Sequence, residues 1–391
     1  MNDLLGIHPK EGTIIDTYVE ISDPYLYQSI VSSNIPKTIR KNFGDHLHTR
    51  PQAYDLYQEI LTHTYGERKD QSELSQGFLD YLESVMPVRM RVIAGNQFPI
   101  TTDIVIGPNA APYVINVDTL SFNGGSLSIY ATTLTINAKS LEIHTSETNK
   151  SKNAYHIGIF GLDGENGEKG ADGVPYNSPA KSGSNASVPS PGICTGASKG
   201  GNGDNGFNGT FGKNGTKGED GHPNLPANIF IGEMNDAFTS NFVIETRSGA
   251  GGNGGQGGTG GVGQNGGNGG RGCEAGCECT PGGDGGNGGT GGTGGDGGTG
   301  GNGTDGNPIS ITFPSTKKDY LKTVKESAQF GAGGAAGNGG KGGIGGIGGT
   351  TGKKCKNGAN GGTGQFGNNG KQGAEGNHVG APGNFIFNYH S

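Results

Sequence analysis

The sequence predicts a mixed fold: a small α-helical N-terminal domain, a short parallel β-solenoid, and then a bundle of about six polyglycine-II helices in three out-and-back pairs. The expectation rests on two periods and a contrast. Glycine recurs at every third position through tracts between Gly161 and Gly376, apolar pairs recur every seven residues before that, and residues 1–95 show neither period. The expected domains are 1–95, 96–160 and 161–391.

In the first segment Asp23-Pro24 supplies a cap and an N1 proline ahead of Leu26, Ile30 and Val31, which predicts a short helix. Tyr54, Tyr57, Ile60, Leu61 and Thr64 follow helical spacing after Pro51, and Leu74, Phe78, Tyr81, Leu82 and Val85 do so after Asp70 and Glu73, a candidate capping box. This segment is read as an attachment or assembly domain. In the second segment Tyr113/Ile115, Leu120/Phe122, Leu127/Ile129, Leu134/Ile136 and Leu141/Ile143 are pairs separated by one residue, so both members share one face of a strand. Three seven-residue units make a coil of about 21 residues, which suits a three-sided parallel β-helix.

The third segment alternates short strands with paired glycine tracts. The strands are 229–231, 242–244, 309–313 and 385–387. The tract pairs are 161–173 with 200–221, 249–272 with 282–306, and 331–352 with 358–376. Three residues per turn is the period of an extended helix without internal hydrogen bonds, whose backbone must bond to a neighbour. Gly-Gly-X triplets such as those carrying Asp284, Asn287 and Thr290 leave two bare edges for that neighbour and one outward row of side chains. Flexible linkers need no such register. A collagen trimer would demand more proline than the 18 residues present beside 83 glycines.

Loops 174–199, 273–281 and 353–357 split the pairs and are expected together at the far tip. They hold all five cysteines: Cys194, Cys273, Cys277, Cys279 and Cys355. Disulfides between loops are favoured over free thiols and over a zinc site, because three cysteines crowd into seven residues without a standard finger spacing. Connectivity stays open, with Cys355 expected to join one of the Cys273, Cys277 and Cys279 group. Candidate binding residues in these loops are Tyr176, Lys181, Asn185, Glu274, Glu278, Lys353, Lys354 and Lys356, and the opposite charges of the last two loops suit their meeting.

No constellation for catalysis stands out, and no catalytic residue, metal site or cofactor is expected. Asp45-His46-Leu47-His48 lacks completing ligands and reads as a polar loop. The many Gly-x-Gly-x-x-Gly matches are accidents of composition. Asp163, Glu165 and Glu168 lack the spacing of calcium repeats and read as a solvated face. A formal charge of −7 without charge blocks argues against nucleic acid, and no apolar run has the length of a membrane span. The N-terminus shows no secretory signal pattern, so an extracellular or particle-associated setting would be reached by another route.

Runs such as 251–259 resemble the glycine-rich motifs of polyglycine-II sandwich proteins, among them the receptor-binding adhesins at the tips of T-even-like phage long tail fibres. That resemblance implies glycine helices holding receptor-selecting loops at a distal end, with an N-terminal domain fixing the adhesin to its fibre. The expected function is therefore a non-enzymatic, elongated recognition or adhesion protein. Its expected partners are a cell-surface receptor or host protein at the tip loops and an assembly partner at the N-terminal domain. The alternatives are a secreted or particle-delivered, toxin-like protein whose helical domain carries the activity, and a structural or ice-binding protein.

Overall fold

The computed structural model describes residues 1–43, 55–67, 70–108, 110–144, 153–187, 193–238, 240–275 and 278–391. The His46/His48 segment lies outside the described residues, as does Cys277. The chain begins with α1 (Asn2–Leu5), β1 (Ile14–Ile21), α2 (Pro24–Val31), α3 (Lys37–Lys41), α4 (Asp55–Tyr65) and α5 (Gln76–Val85). Strands follow: β2 (Val88–Ile100), β3 (Ile104–Ile106), β4 (Tyr113–Phe122), β5 (Leu127–Tyr130), β6 (Leu134–Ile143), β7 (Ile157–Phe160), β8 (Ala227–Met234) and β9 (Phe242–Arg247). The two-residue strands β10 (Glu274–Ala275) and β11 (Glu278–Cys279) pair with each other, and β12 (Ile309–Pro314), β13 (Leu321–Glu326) and β14 (Phe385–His390) complete the chain.

Two sheets organise the molecule. One has seven strands in the order β1-β2-β4-β6-β8-β12-β14, and the other has five in the order β13-β9-β7-β5-β3. Only β1 runs antiparallel to its neighbour; every other pairing in these two sheets is parallel. Register stacks like on like. Ile93, Ile115, Ile136, Ile229 and Ile311 pair in succession across the larger sheet, all of them buried, and they face a core shared with Leu127, Ile129, Ile157 and Ile244 of the smaller one. Burial of each such side chain contributes about 1.5–3 kcal/mol. On the other face of the larger sheet Met90, Val92, Ala94 and Val114 pack against Ile30, Val31, Leu61 and Tyr65 of the N-terminal helices.

The fold is thus a sheet-dominated α/β one, and the expected class is corrected: it is not a helical domain, a solenoid and a polyglycine-II helix bundle in series. The N-terminal segment is not purely helical, because Ile14–Ile21, rich in β-branched residues, adds an edge strand to the larger sheet. The helices themselves have clear causes. Asp23 accepts from the Tyr25 N–H at 2.9 Å at the start of α2, and Ser75, rather than the Asp70/Glu73 box, caps α5 by accepting from Phe78 N–H at 3.1 Å. A three-sided solenoid within 96–160 is overturned by the two sheets, whose strands are drawn from residues 14 to 390. The four residues linking the pairs Tyr113/Ile115 and Leu120/Phe122 contain no glycine or proline. Both pairs therefore lie on one strand, although the ladder skips Asn96, Asp118 and Lys139 at that level. The chain leaves for the other sheet at Asn123-Gly124-Gly125, where Gly124 has φ 87°, a conformation that disfavours other residues.

The glycine tracts are neither α-helix nor β-strand. They leave from the C-terminal ends of β7, β9 and β13 and return to the starts of β8, β12 and β14. Between them main-chain N–H groups bond sideways at every third residue. Gly164, Gly167, Gly170 and Gly173 donate to Ala250, Asn253, Gln256 and Thr259, and Gly254, Gly257 and Gly260 donate in turn to Ala332, Ala335 and Asn338. Returning tracts bond likewise, Gly206 to Asn287 and Gly288 to Gly362. Side chains reinforce this shaft. Asp163, Asn166 and Asp172 accept from the N–H of Ala250, Asn253 and Thr259 at 2.7–2.8 Å, and Asn202, Asn205 and Asn208 accept from Asp284, Asn287 and Thr290 at 2.8–3.0 Å. The Thr259 N–H and then Lys169 hold the Asp172 carboxyl below its usual range.

His156 links the sheet core to pH. Its ring meets those of Phe122 and Phe242, with centroids at 5.2 and 6.0 Å, and Nδ1 accepts from the Val243 N–H. Burial pushes its pKa down to about 4. The unfolded chain, titrating near 6.5, then binds this proton more readily than the native one. The contribution of neutral His156 is full above about pH 6.5 and lost as pH falls through about 4, a loss of about 3 kcal/mol. Urea midpoints at pH 7 and pH 4 should fall for the native sequence and fall less for His156→Phe; equal slopes would refute the assignment.

Candidate functional site

At the end of the shaft remote from the sheets, the three cysteine-bearing loops are joined. Cys194 bonds to Cys273 and Cys279 to Cys355, with Cα separations of 5.8 and 5.9 Å. The segment 273–281 thus ties to both of the others. Its hairpin β10–β11 is closed further by Thr280, which donates its N–H to the Cys273 carbonyl and accepts from the Cys273 N–H on Oγ1. Thr351 Oγ1 donates to the Thr280 carbonyl at 2.6 Å, a second link between the loops.

Several expected binding residues serve this framework. Glu278 accepts from the Thr195 hydroxyl at 2.6 Å, and Glu274 lies against Gly352. Lys353, Lys354 and Lys356 are exposed, and the Lys356 carbonyl accepts from Gly282 N–H. Among the described residues no ion pair joins these lysines to Glu274 or Glu278; the loops meet through disulfides and main-chain bonds instead. Residues 180–186 run beside the tract 265–271, with Ala180, Gly183 and Ala186 donating to Asn265, Asn268 and Arg271. Asn185 consequently spends its side-chain oxygen on the Arg271 N–H, and the Lys181 carbonyl accepts from Asp204.

Tyr176 is not at the tip. The ladder slips by one residue between the Gly173–Thr259 and Ala180–Asn265 rungs, and the extra residue makes a bulge on the flank of the shaft. Gln264 occupies the space beneath it, accepting from Phe207 N–H and donating to the Ser178 carbonyl. On the bulge Tyr176 donates its hydroxyl to the Asn208 carbonyl and stacks on Phe207 at 6.4 Å. The sequence carries a sign of this: residue 264 is where glycine fails in the second row of the tract 249–272.

The joined loops also frame a polar cleft of about 400 Å³, lined by Lys199, Asn202, Pro281, Asp284, Lys356 and Asn357 together with Gly282 and Cys355. The fold positions each group. Asn202 accepts from Asp284 N–H at 3.0 Å, Asp284 from Ala359 N–H at 2.7 Å, and Asn357 from Thr351 N–H at 2.8 Å. These bonds hold the cleft floor while Lys199 and Lys356 stay exposed at its rim. Lys199, Asn202, Asp284 and Asn357 were not expected as site residues. Their signal lies in position, since Lys199 and Asn357 end two of the cysteine loops and Asn202 and Asp284 lie just beyond loop ends. Chemically the cleft offers two ammonium groups, one carboxylate and two side-chain amides, a set suited to binding a polar target.

No protein family, curated protein or solved structure matches this chain. Among the described residues no helix is long and apolar enough to cross a membrane.

Proposed function

We propose that the protein is a non-enzymatic recognition or adhesion protein that contacts a cell-surface receptor or host protein through its distal loops. The observation that supports this reading most is the double disulfide clamp, which gathers segments far apart in sequence around one exposed cleft at the end of a long, regular support. Loops held on a rigid scaffold lose little ordering entropy on binding, so a few contacts suffice for affinity. The N-terminal module, packed on the larger sheet at the other end, is the proposed attachment point for an assembly partner.

The test uses fluorescently labelled protein screened against candidate cells. Once a binding cell is found, Lys199→Glu with Lys356→Glu should lower cell-bound fluorescence at least tenfold, because both charges are exposed at the cleft rim and neither bears on folding. Lys10→Glu with Lys41→Glu, on the N-terminal module, should leave binding unchanged. If only the second pair abolishes binding, recognition belongs to the N-terminal module and the proposal fails.

A further inference from the structure

Between the N-terminal helices and the sheet lies a cavity of about 390 Å³ that the recognition reading does not use. Its walls come from α2, α4 and α5 on one side and from the turns around Pro112, Thr132 and Pro226 on the other. Voids larger than a water molecule are few in a packed domain, and this one has room for about a dozen non-hydrogen atoms. It also falls in the size range of small-molecule sites.

The lining decides what would fill it. Tyr27, Tyr57, Leu61, Phe78, Tyr81 and Met86 give an apolar, largely aromatic surface. Polar groups are few, chiefly Gln28, His63 and the threonines Thr64, Thr132 and Thr133. Among the described residues no Asp, Glu, Lys or Arg lines the cavity. Burial pushes the Tyr27 phenol up to about 12 and raises Tyr65 as well, so both hydroxyls stay neutral donors. A cation would enter this cavity without a counter-charge, and an anion would meet one only if His63 took up a proton, so a charged ligand bears most of its desolvation cost. A wholly polar one would forfeit the aromatic surface.

We infer that this cavity is a binding site for an uncharged, mainly apolar small molecule bearing a hydrogen-bonding end, seated between the N-terminal helices and the sheet. The apolar body lies against the tyrosines and Phe78, and the polar end reaches Gln28 or the threonine hydroxyls. Because both halves of the wall contribute, occupancy stabilises the docking of the helices on the sheet.

Isothermal titration of the full chain with 1-decanol tests this, with decanoate and decyltrimethylammonium as charged counterparts of similar length. One saturable site for 1-decanol is expected, with at least tenfold weaker binding of both ions. Leu82→Trp, which fills the cavity from its wall, should weaken 1-decanol binding at least tenfold while the disulfide-linked tip stays intact by peptide mapping. Should that variant fail to fold, Val85→Phe fills the same space with a smaller change. Absence of saturable binding up to the solubility of 1-decanol would overturn the inference. So would equal binding of decanoate, or unaltered binding in a folded filling variant. None of these outcomes bears on recognition at the tip.

Discussion

Gly288→Val should destabilise the shaft by about 5 kcal/mol, enough to prevent its assembly in a marginally stable chain. A β-carbon built on Gly288 falls onto the Gly343 carbonyl oxygen and carbon, and the Gly343 Cα is 3.1 Å away. These are main-chain atoms and cannot swing aside. The tracts around Gly288 and Gly343 would have to separate, breaking rungs that include Gly343 to Gly289 and Gly346 to Gly286. Each rung is worth about 1 kcal/mol net, and more where the freed groups stay buried. Two controls lie close by. Thr290→Val keeps an exposed side chain and its backbone bonds, so a change within about 0.5 kcal/mol is expected. Gly362→Ala should also be mild, since the nearest atom to the added carbon is Asn287 Oδ1 at 3.5 Å. Urea unfolding of the three variants checks the order; a Gly288→Val protein as stable as Thr290→Val would show that close backbone approach does not hold the tracts together.

Loss of both disulfides should act at the other end of the same structure. The bridges close chain separations of 79 and 76 residues, and removing each costs about 2–4 kcal/mol in the chain-entropy account. The paired replacements Cys194→Ser with Cys273→Ser, and Cys279→Ser with Cys355→Ser, avoid leaving lone thiols. Near the tip the tracts meet through rungs such as Gly283 to Gly270 and Gly349 to Gly283, and near the sheets through Gly301 to Gly252 and Gly331 to Gly301. Amide exchange should accelerate at least tenfold in the first set and little in the second. Uniform acceleration along the shaft would mean that the bridges stabilise the chain as a whole instead of gathering the tip. Mass mapping of unreduced peptides should recover the 194–273 and 279–355 pairs.

What the sequence made legible was whatever repeats. The glycine phase marks the tracts, and the cysteines fall where three loops meet. The seven-residue pairs locate strands but not the sheets they enter, because the choice between turning and running on depends on a few linkers. Asn116 to Thr119 continue a strand, whereas Asn123-Gly124-Gly125 turn the chain. β1 stayed hidden because its partner, β2, begins 67 residues after β1 ends, and local spacing does not report a distant edge. The Asn and Asp residues beside the glycines looked like a solvated row. Their side chains in fact accept from N–H groups about 80 residues away, a role visible only once the tracts lie side by side. The flank bulge was equally concealed, since Tyr176 and Gln264 acquire meaning only opposite each other. The apolar cavity has no sequence signature either, because its walls come from separate helices and turns.

The sideways ladder also limits how the protein can evolve. A triplet gained in one tract would shift every later glycine away from the carbonyls it now meets on neighbouring tracts, so a change of shaft length must enter all the tracts at one level. Such coordinated insertion is rare in a lineage that changes one codon at a time. The turns beyond the last rungs escape this rule, for nothing follows them in register until the chain comes back. Variation is thereby channelled to the outermost loops while reach stays constant, and homologues should differ in length and sequence between Ser187 and Cys194 while keeping Cys194 itself and the number of triplets beneath it.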